Sequence, residues 1–151
     1  MKPKVLIVED EEIIRKFLSD VFSKQYDINA ACNGQQGLEI YCISVENHNQ
    51  PDIVITDMNM PMMQGNDLVK RIRAYETDLD IPKTAVIVMS GVPQENAPLL
   101  SDLEQVAAYS FMSKPFDLAT VHRHVQEALR RREAYLSGAV ENVGKYQVTQ
   151  P

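Results

Sequence analysis

Four short apolar runs in this chain end in polar residues whose types belong together chemically. Val5–Val8 leads into Glu9-Asp10, with Glu11 and Glu12 just beyond, and Ile53-Val54-Ile55 leads into Thr56-Asp57. Ala85–Met89 leads into Ser90-Gly91, and Phe111-Met112 into Ser113-Lys114-Pro115. Gathered in one cleft, Glu9, Asp10 and Asp57 would set three carboxylates together, a repulsive arrangement unless a cation sits among them. Hard oxygen ligands in small number suit Mg²⁺, which keeps several waters and is completed by a phosphate. Lys114 would add a compact positive charge able to pair with Asp57 or with an incoming phosphoryl oxygen. Ser90 would add a hydroxyl able to turn toward the same oxygen. A carboxylate, a divalent cation, a lysine and a hydroxyl describe a site where an aspartate attacks phosphorus in line and becomes an aspartyl phosphate.

Such a site needs elements that bring the four ends together. Between the apolar runs lie segments of helical period, the first with Ile13, Ile14, Phe17, Leu18, Val21 and Phe22 on one stripe. Asp27–Ala31 reads as a weaker strand, and Gly34 with Leu38, Tyr41, Cys42 and Val45 as a second helix. Leu68, Val69, Ile72 and Tyr75 mark a third helix; Leu99, Leu100, Leu103 and Val106 mark another within 93–108. Asp117 is the expected N-cap of a final helix through Leu118, Val121, Val125, Ala128 and Leu129, ending in Arg130-Arg131-Arg132.

Five strands alternating with five helices predict an α/β domain with a doubly wound, five-stranded parallel sheet. Unbroken hydrophobicity in the strands fits a sheet covered on both faces. In open parallel sheets the site lies at the carboxyl ends of the strands, where strand order reverses. The second strand ends in Ala31-Cys32 and offers no chemistry. The order 2-1-3-4-5 puts that strand at the edge and brings the other four together.

With 151 residues the chain has room for one domain. Its 15 Lys and Arg against 21 Asp and Glu leave a net charge of −6, a poor match to nucleic acid or anionic lipid. Cys32 and Cys42 are too few for a disulfide framework or a four-ligand zinc site. The first apolar run is too short for a signal peptide, and no run is long enough for a membrane span. A cytoplasmic location is therefore expected. Periodicity fades after Gly138, so the domain is expected over 1–136, with 137–151 a C-terminal tail and no output domain.

The motifs resemble the receiver domain of bacterial two-component response regulators. The resemblance rests on Val5-Leu6-Ile7-Val8-Glu9-Asp10, on residues 52–65 from Asp52 through Asp57 and Pro61 to Gly65, on Val86–Gly91, and on Phe111-Met112-Ser113-Lys114-Pro115-Phe116. It covers about Lys4 to Tyr135. It implies a flavodoxin-like fold, Asp57 as phosphoacceptor, and Glu9 and Asp10 as the acidic pair that holds Mg²⁺ together with Asp57. Asn59 occupies the place whose backbone carbonyl completes the metal shell. Ser90 and Lys114 match the switch hydroxyl and the phosphate-pairing lysine, and Phe111 the aromatic whose rotamer follows the switch. The implied role is a phosphorelay acceptor, not an enzyme. It is charged by a sensor histidine kinase or phosphotransfer protein and signals through a downstream protein target or a self-dimer. No direct contact with nucleic acid or membrane is implied.

Glu9 replaces the commoner Asp, Phe111 lacks the hydroxyl of the frequent tyrosine, and the span from Ser90 to Lys114 is slightly long, with Pro93 and Pro98. Two alternatives remain beside a free-standing acceptor. One is a receiver module cut from a longer regulator or hybrid kinase. The other is an aspartate-nucleophile phosphatase, against which stands Asn59 where such enzymes usually carry a general-acid Asp. A nucleotide-binding domain would want a glycine-rich first turn, and here that turn is acidic. Simpler readings apply elsewhere: surface positions for His48, His122 and His124, a helix-end charge for Arg130–Arg132, turn chemistry for Gly65, and a place at the site's rim for Met58, Met60, Met62 and Met63.

Overall fold

The computed structural model describes residues 2–91, 110–114, 117–141 and 143, with only the backbone of 110, 111 and 113. The strands are β1 (Lys4–Val8), β2 (Asp27–Ala31), β3 (Ile53–Asp57), β4 (Ala85–Ser90) and β5 (Ser110–Ser113). The helices among the described residues are α1 (Glu12–Phe22), α2 (Gly34–Glu46), α3 (Gly65–Leu79) and α4 (Leu118–Leu136). The helix expected within 93–108 lies outside the described residues. Every strand pair is parallel, and the sheet order is β2-β1-β3-β4-β5.

Alternation along each strand divides the core into two layers, because successive side chains point to opposite faces. Val5, Ile7, Ile53, Ile55, Ala85, Ile87 and Met89 face a cluster with Leu18 and Phe22 of α1 and Val121, Val125 and Ala128 of α4. Leu6, Val8, Val54, Val86 and Val88 face the opposite layer with Tyr41 of α2 and Leu68, Val69 and Ile72 of α3. Burying each large aliphatic side chain contributes about 1.5–3 kcal/mol. Both faces are thus apolar in β3 and β4, while the edge strand β2 keeps Asp27, Asn29 and Ala30 exposed.

Local chemistry sets the helix starts. Asn33 caps α2, accepting from the Gln36 N–H at 2.8 Å, while the Gln36 side chain accepts from the Cys32 N–H at 2.7 Å. Asp117 caps α4 as expected, accepting from the Thr120 N–H at 2.7 Å.

At two places α4 departs from expectation. It runs past the arginines to Leu136, and Arg132 is buried instead of being a solvated end charge. Its guanidinium donates to Asp52 Oδ1 at 2.8 Å and to the Lys83 carbonyl at 3.2 Å, tying the helix to the amino ends of the strands. After Leu136 the chain turns at Gly138, whose φ of 82° needs no Cβ. Val143, placed by sequence in the tail, is fully buried in the α1–α4 layer. A single anchoring side chain has no periodicity, so pattern reading assigns it to the tail. Among the described residues no helix is long and apolar enough to cross a membrane.

Candidate functional site

The carboxyl ends of β1, β3, β4 and β5 meet in one crevice, and each delivers a polar residue. Glu9 follows β1 directly and is 0% exposed; its N–H donates to the Ala31 carbonyl at 3.0 Å. Asp57 is the last residue of β3 and is buried. Ser90, the last residue of β4, is also buried, and its carbonyl accepts from the Lys114 N–H at 2.8 Å. That bond fixes the backbone from which the Lys114 side chain reaches back over β4 and β3. The lysine Nζ donates to Glu9 Oε1 at 2.9 Å and lies 3.2 Å from Asp57 Oδ2.

The carboxylates occupy different settings. Glu9 Oε1 receives the lysine and Oε2 receives the Glu11 N–H at 3.1 Å, so both oxygens are engaged. Asp57 accepts from the Asn59 backbone N–H as well as from Lys114. Asp10 differs: its Oδ1 is buried and has no hydrogen-bond partner. One oxygen from each of Glu9, Asp10 and Asp57 falls within a group spanning no more than 4.8 Å. One lysine against three carboxylates leaves an excess of negative charge. An unpartnered buried oxygen beside that excess is what a small, hard divalent cation would satisfy.

Titration follows from burial. Glu9 is pushed up to about 7, chiefly by burial; the bonds from Lys114 and the Glu11 N–H oppose this, and the Asp57 charge adds to it. Burial likewise raises Asp57, against the pull of Lys114. For Lys114 burial acts downward, yet the bond to Glu9 and the charges of Asp57 and Glu9 outweigh it and the net shift is upward. Each group holds the others in place.

The loop after Asp57 is shaped by one close approach. The Gly65 N–H donates to the Met58 carbonyl at 2.8 Å, and a Cβ on Gly65 would overlap the Asp57 carbonyl oxygen. Folding back in this way tucks Met58, Met60 and Met63 into the α2–α3 layer, so they do not form the rim expected of them. Met62 alone of the four is solvent-facing, 81% exposed with φ at 71°.

The structure brings Glu9, Asp10, Asp57, Ser90 and Lys114 to one crevice, with Asn59 at its edge. For Phe111 the pairing with Val88 in the sheet is seen, but its side chain lies outside the described residues. One participant was not anticipated: Arg15, in the first turns of α1, donates from Nη1 to the Glu9 carbonyl at 2.9 Å. The sequence carries a faint signal for it, a basic residue five positions after Asp10.

A family model described as the response regulator receiver domain matches residues 5–126. Sporulation initiation phosphotransferase F of Bacillus subtilis is 31% identical over 130 residues, covering 85% of this chain and 95% of that protein. The sensor histidine kinase TmoS of Ectopseudomonas mendocina is 33% identical over 135 residues, 88% of this chain but 13% of the kinase. The regulatory protein AtoC of Escherichia coli is 32% identical over 84% of this chain and 25% of its own length. The chain therefore spans a small part of those last two relatives. Among solved structures, a response regulator receiver domain protein from Clostridium thermocellum superposes with a TM-score of 0.71 at 25% identity, covering 87% of this chain and 97% of that one. A chain of the CheX–CheY–BeF3–Mg²⁺ complex from Borrelia burgdorferi does so at 0.70 and 29% identity, covering 83% of this chain and 87% of that one.

Proposed function

The chain belongs to the response regulator receiver family, and on that premise we propose that it accepts a phosphoryl group on Asp57 and thereby switches a protein-binding face. The observation that carries the reading is the buried Asp57 carboxylate, 3.2 Å from the Lys114 ammonium and beside the unpartnered Asp10 Oδ1. The donor would be the phosphorylated histidine of a cytoplasmic sensor kinase or phosphotransfer protein.

In the transfer, an Asp57 oxygen bonds to phosphorus as the phosphorus–nitrogen bond of the donor breaks. The departing imidazole keeps the electron pair and takes a proton from solvent. The Asn59 N–H and Lys114 hold the Asp57 carboxylate in one orientation before attack. Mg²⁺, held by Glu9, Asp10, Asp57 and the Asn59 carbonyl, would offset charge on the transferring group. Lys114 then exchanges a carboxylate partner for a phosphoryl oxygen.

Phosphorylation adds negative charge and acceptor oxygens at Asp57, and the Ser90 hydroxyl turns to donate to one of them. Space vacated beside β4 would admit Phe111. The face formed by the helix expected within 93–108, β5 and α4 then changes between two states, and another protein or a second copy reads it. The test is intact mass after a small-molecule phosphodonor with Mg²⁺. One added phosphoryl group, absent from Asp57→Asn and from protein in excess chelator, is expected. Equal labelling of that variant would overturn the assignment.

A further inference from the structure

We propose that Arg15 is a positioning residue for the acidic pair, holding the Glu9–Asp10 backbone so that both carboxylates stay aimed into the crevice. The inference deepens the phosphoacceptor reading and rests on it. Side chains on a helix lean toward its N-terminus, so a residue in the first turns of α1 reaches back over the loop that precedes the helix. Arg15 is half-buried there, with Nη1 2.9 Å from the Glu9 carbonyl oxygen and 3.5 Å from that of Asp10. One guanidinium nitrogen thus faces two successive carbonyls of the residues whose side chains crowd the site.

The loop has need of such a tie. Glu11, at the N-cap position of α1, makes no side-chain capping bond. Glu9 is secured on its other side by its N–H to the Ala31 carbonyl and through its side chain to Lys114 and the Glu11 N–H. Asp10 lacks comparable restraint, its Oδ1 being without a partner. Repulsion among Glu9, Asp10 and Asp57 pushes this loop outward, and a cation drawing on the carbonyls from behind opposes that push. Because Arg15 bonds to backbone oxygen and not to the carboxylates, the side-chain oxygens remain available to a divalent cation. Groups that orient metal ligands in this way typically change affinity by about 10–100-fold when removed.

The charge of Arg15 and its hold on the loop act on Mg²⁺ affinity in opposite directions. A guanidinium that merely added positive charge would repel Mg²⁺, and its removal would tighten binding. A guanidinium that positions the loop would weaken binding when lost. The experiment is calorimetric Mg²⁺ titration of the wild type, Arg15→Met and Arg15→Lys, with amide hydrogen exchange at Glu9–Glu12 in metal-free protein. About tenfold weaker binding by Arg15→Met, substantial recovery in Arg15→Lys, and faster exchange confined to the loop are expected. Unchanged or tighter binding by Arg15→Met overturns the positioning role while leaving the metal site standing. Absence of Mg²⁺ binding in the wild type overturns both the role and the reading beneath it. Should Arg15→Met not fold, Arg15→Ala, which removes both the charge and the bond to the Glu9 carbonyl, decides by the same measurements: weaker Mg²⁺ binding with faster exchange in the loop supports the role, and unchanged or tighter binding overturns it.

Discussion

Lys114 and Glu9 stand 105 positions apart in the sequence and 2.9 Å apart in the fold. The lysine follows β5 and the glutamate follows β1, so the bond crosses the mouths of β4 and β3 and passes Asp57 on the way. In this arrangement the longer stem of glutamate lets one carboxylate serve the lysine and the Glu11 N–H at once.

The raised pKa of Glu9 has a consequence for metal-free protein. Folded Glu9 holds its proton up to about pH 7, whereas a glutamate free in water loses it near 4.5. Between those values the folded state binds more protons than the unfolded one, so stability from this group is full below about pH 4.5 and is lost as pH rises through 7. Urea unfolding in chelator should show a Glu9-dependent loss of roughly 3 kcal/mol across that window, at about 1.4 kcal/mol per pKa unit. Glu9→Gln should flatten it. An unchanged slope in that variant would assign the effect to another group.

Asp10→Asn should separate stability from metal affinity. Removing one charge from the crowded crevice relieves repulsion in the metal-free protein, so its melting temperature should rise. The same change removes a hard anionic ligand, and the further rise produced by millimolar Mg²⁺ in the wild type should shrink. Thermal scans with and without Mg²⁺ give both results. A wild type indifferent to the ion would count against the metal site.

Gly65→Ala should be costly although alanine favours helix. Its Cβ would meet the Asp57 carbonyl oxygen and the Met58 backbone, neither of which is the flexible end of a side chain. The strain should cost about 1–3 kcal/mol in denaturant unfolding and slow labelling of Asp57, whose backbone must shift. Wild-type stability with wild-type labelling would show that the loop can relax elsewhere.

Ser90→Ala should leave labelling at Asp57 intact and blunt its effect on a partner. Only a difference in interaction between the two states can shift affinity, typically by about 1–3 kcal/mol. Dimerisation or partner binding with a phosphoryl mimic should therefore change in the wild type and change less in Ser90→Ala. A full response from the variant would remove the hydroxyl from the route.

The legible part of this molecule was whatever its side chains announce in pattern. Continuous apolar strands reveal a sheet covered on both faces, and polar residues at four strand ends choose the order that gathers Glu9, Asp10, Asp57, Ser90 and Lys114. What pattern hides are single long-range attachments. Arg132 looks like a helix-end charge until Asp52, 80 positions away, is found beneath it. Arg15 acts on carbonyls, which every residue possesses and no sequence advertises. The methionines after Asp57 look like a rim because the fold-back at Gly65 depends on a missing Cβ and not on anything their own types reveal.

Val143 gives the fold a direction in time. The α1–α4 layer holds Val5 of β1 and Val143, which follows it by 138 positions in the chain. A growing chain halted between the two would hold an unsealed layer. Synthesis as far as Val143 is therefore the step that closes the layer, and a chain cut before it by stalling or proteolysis would carry an apolar opening that quality-control machinery can recognise.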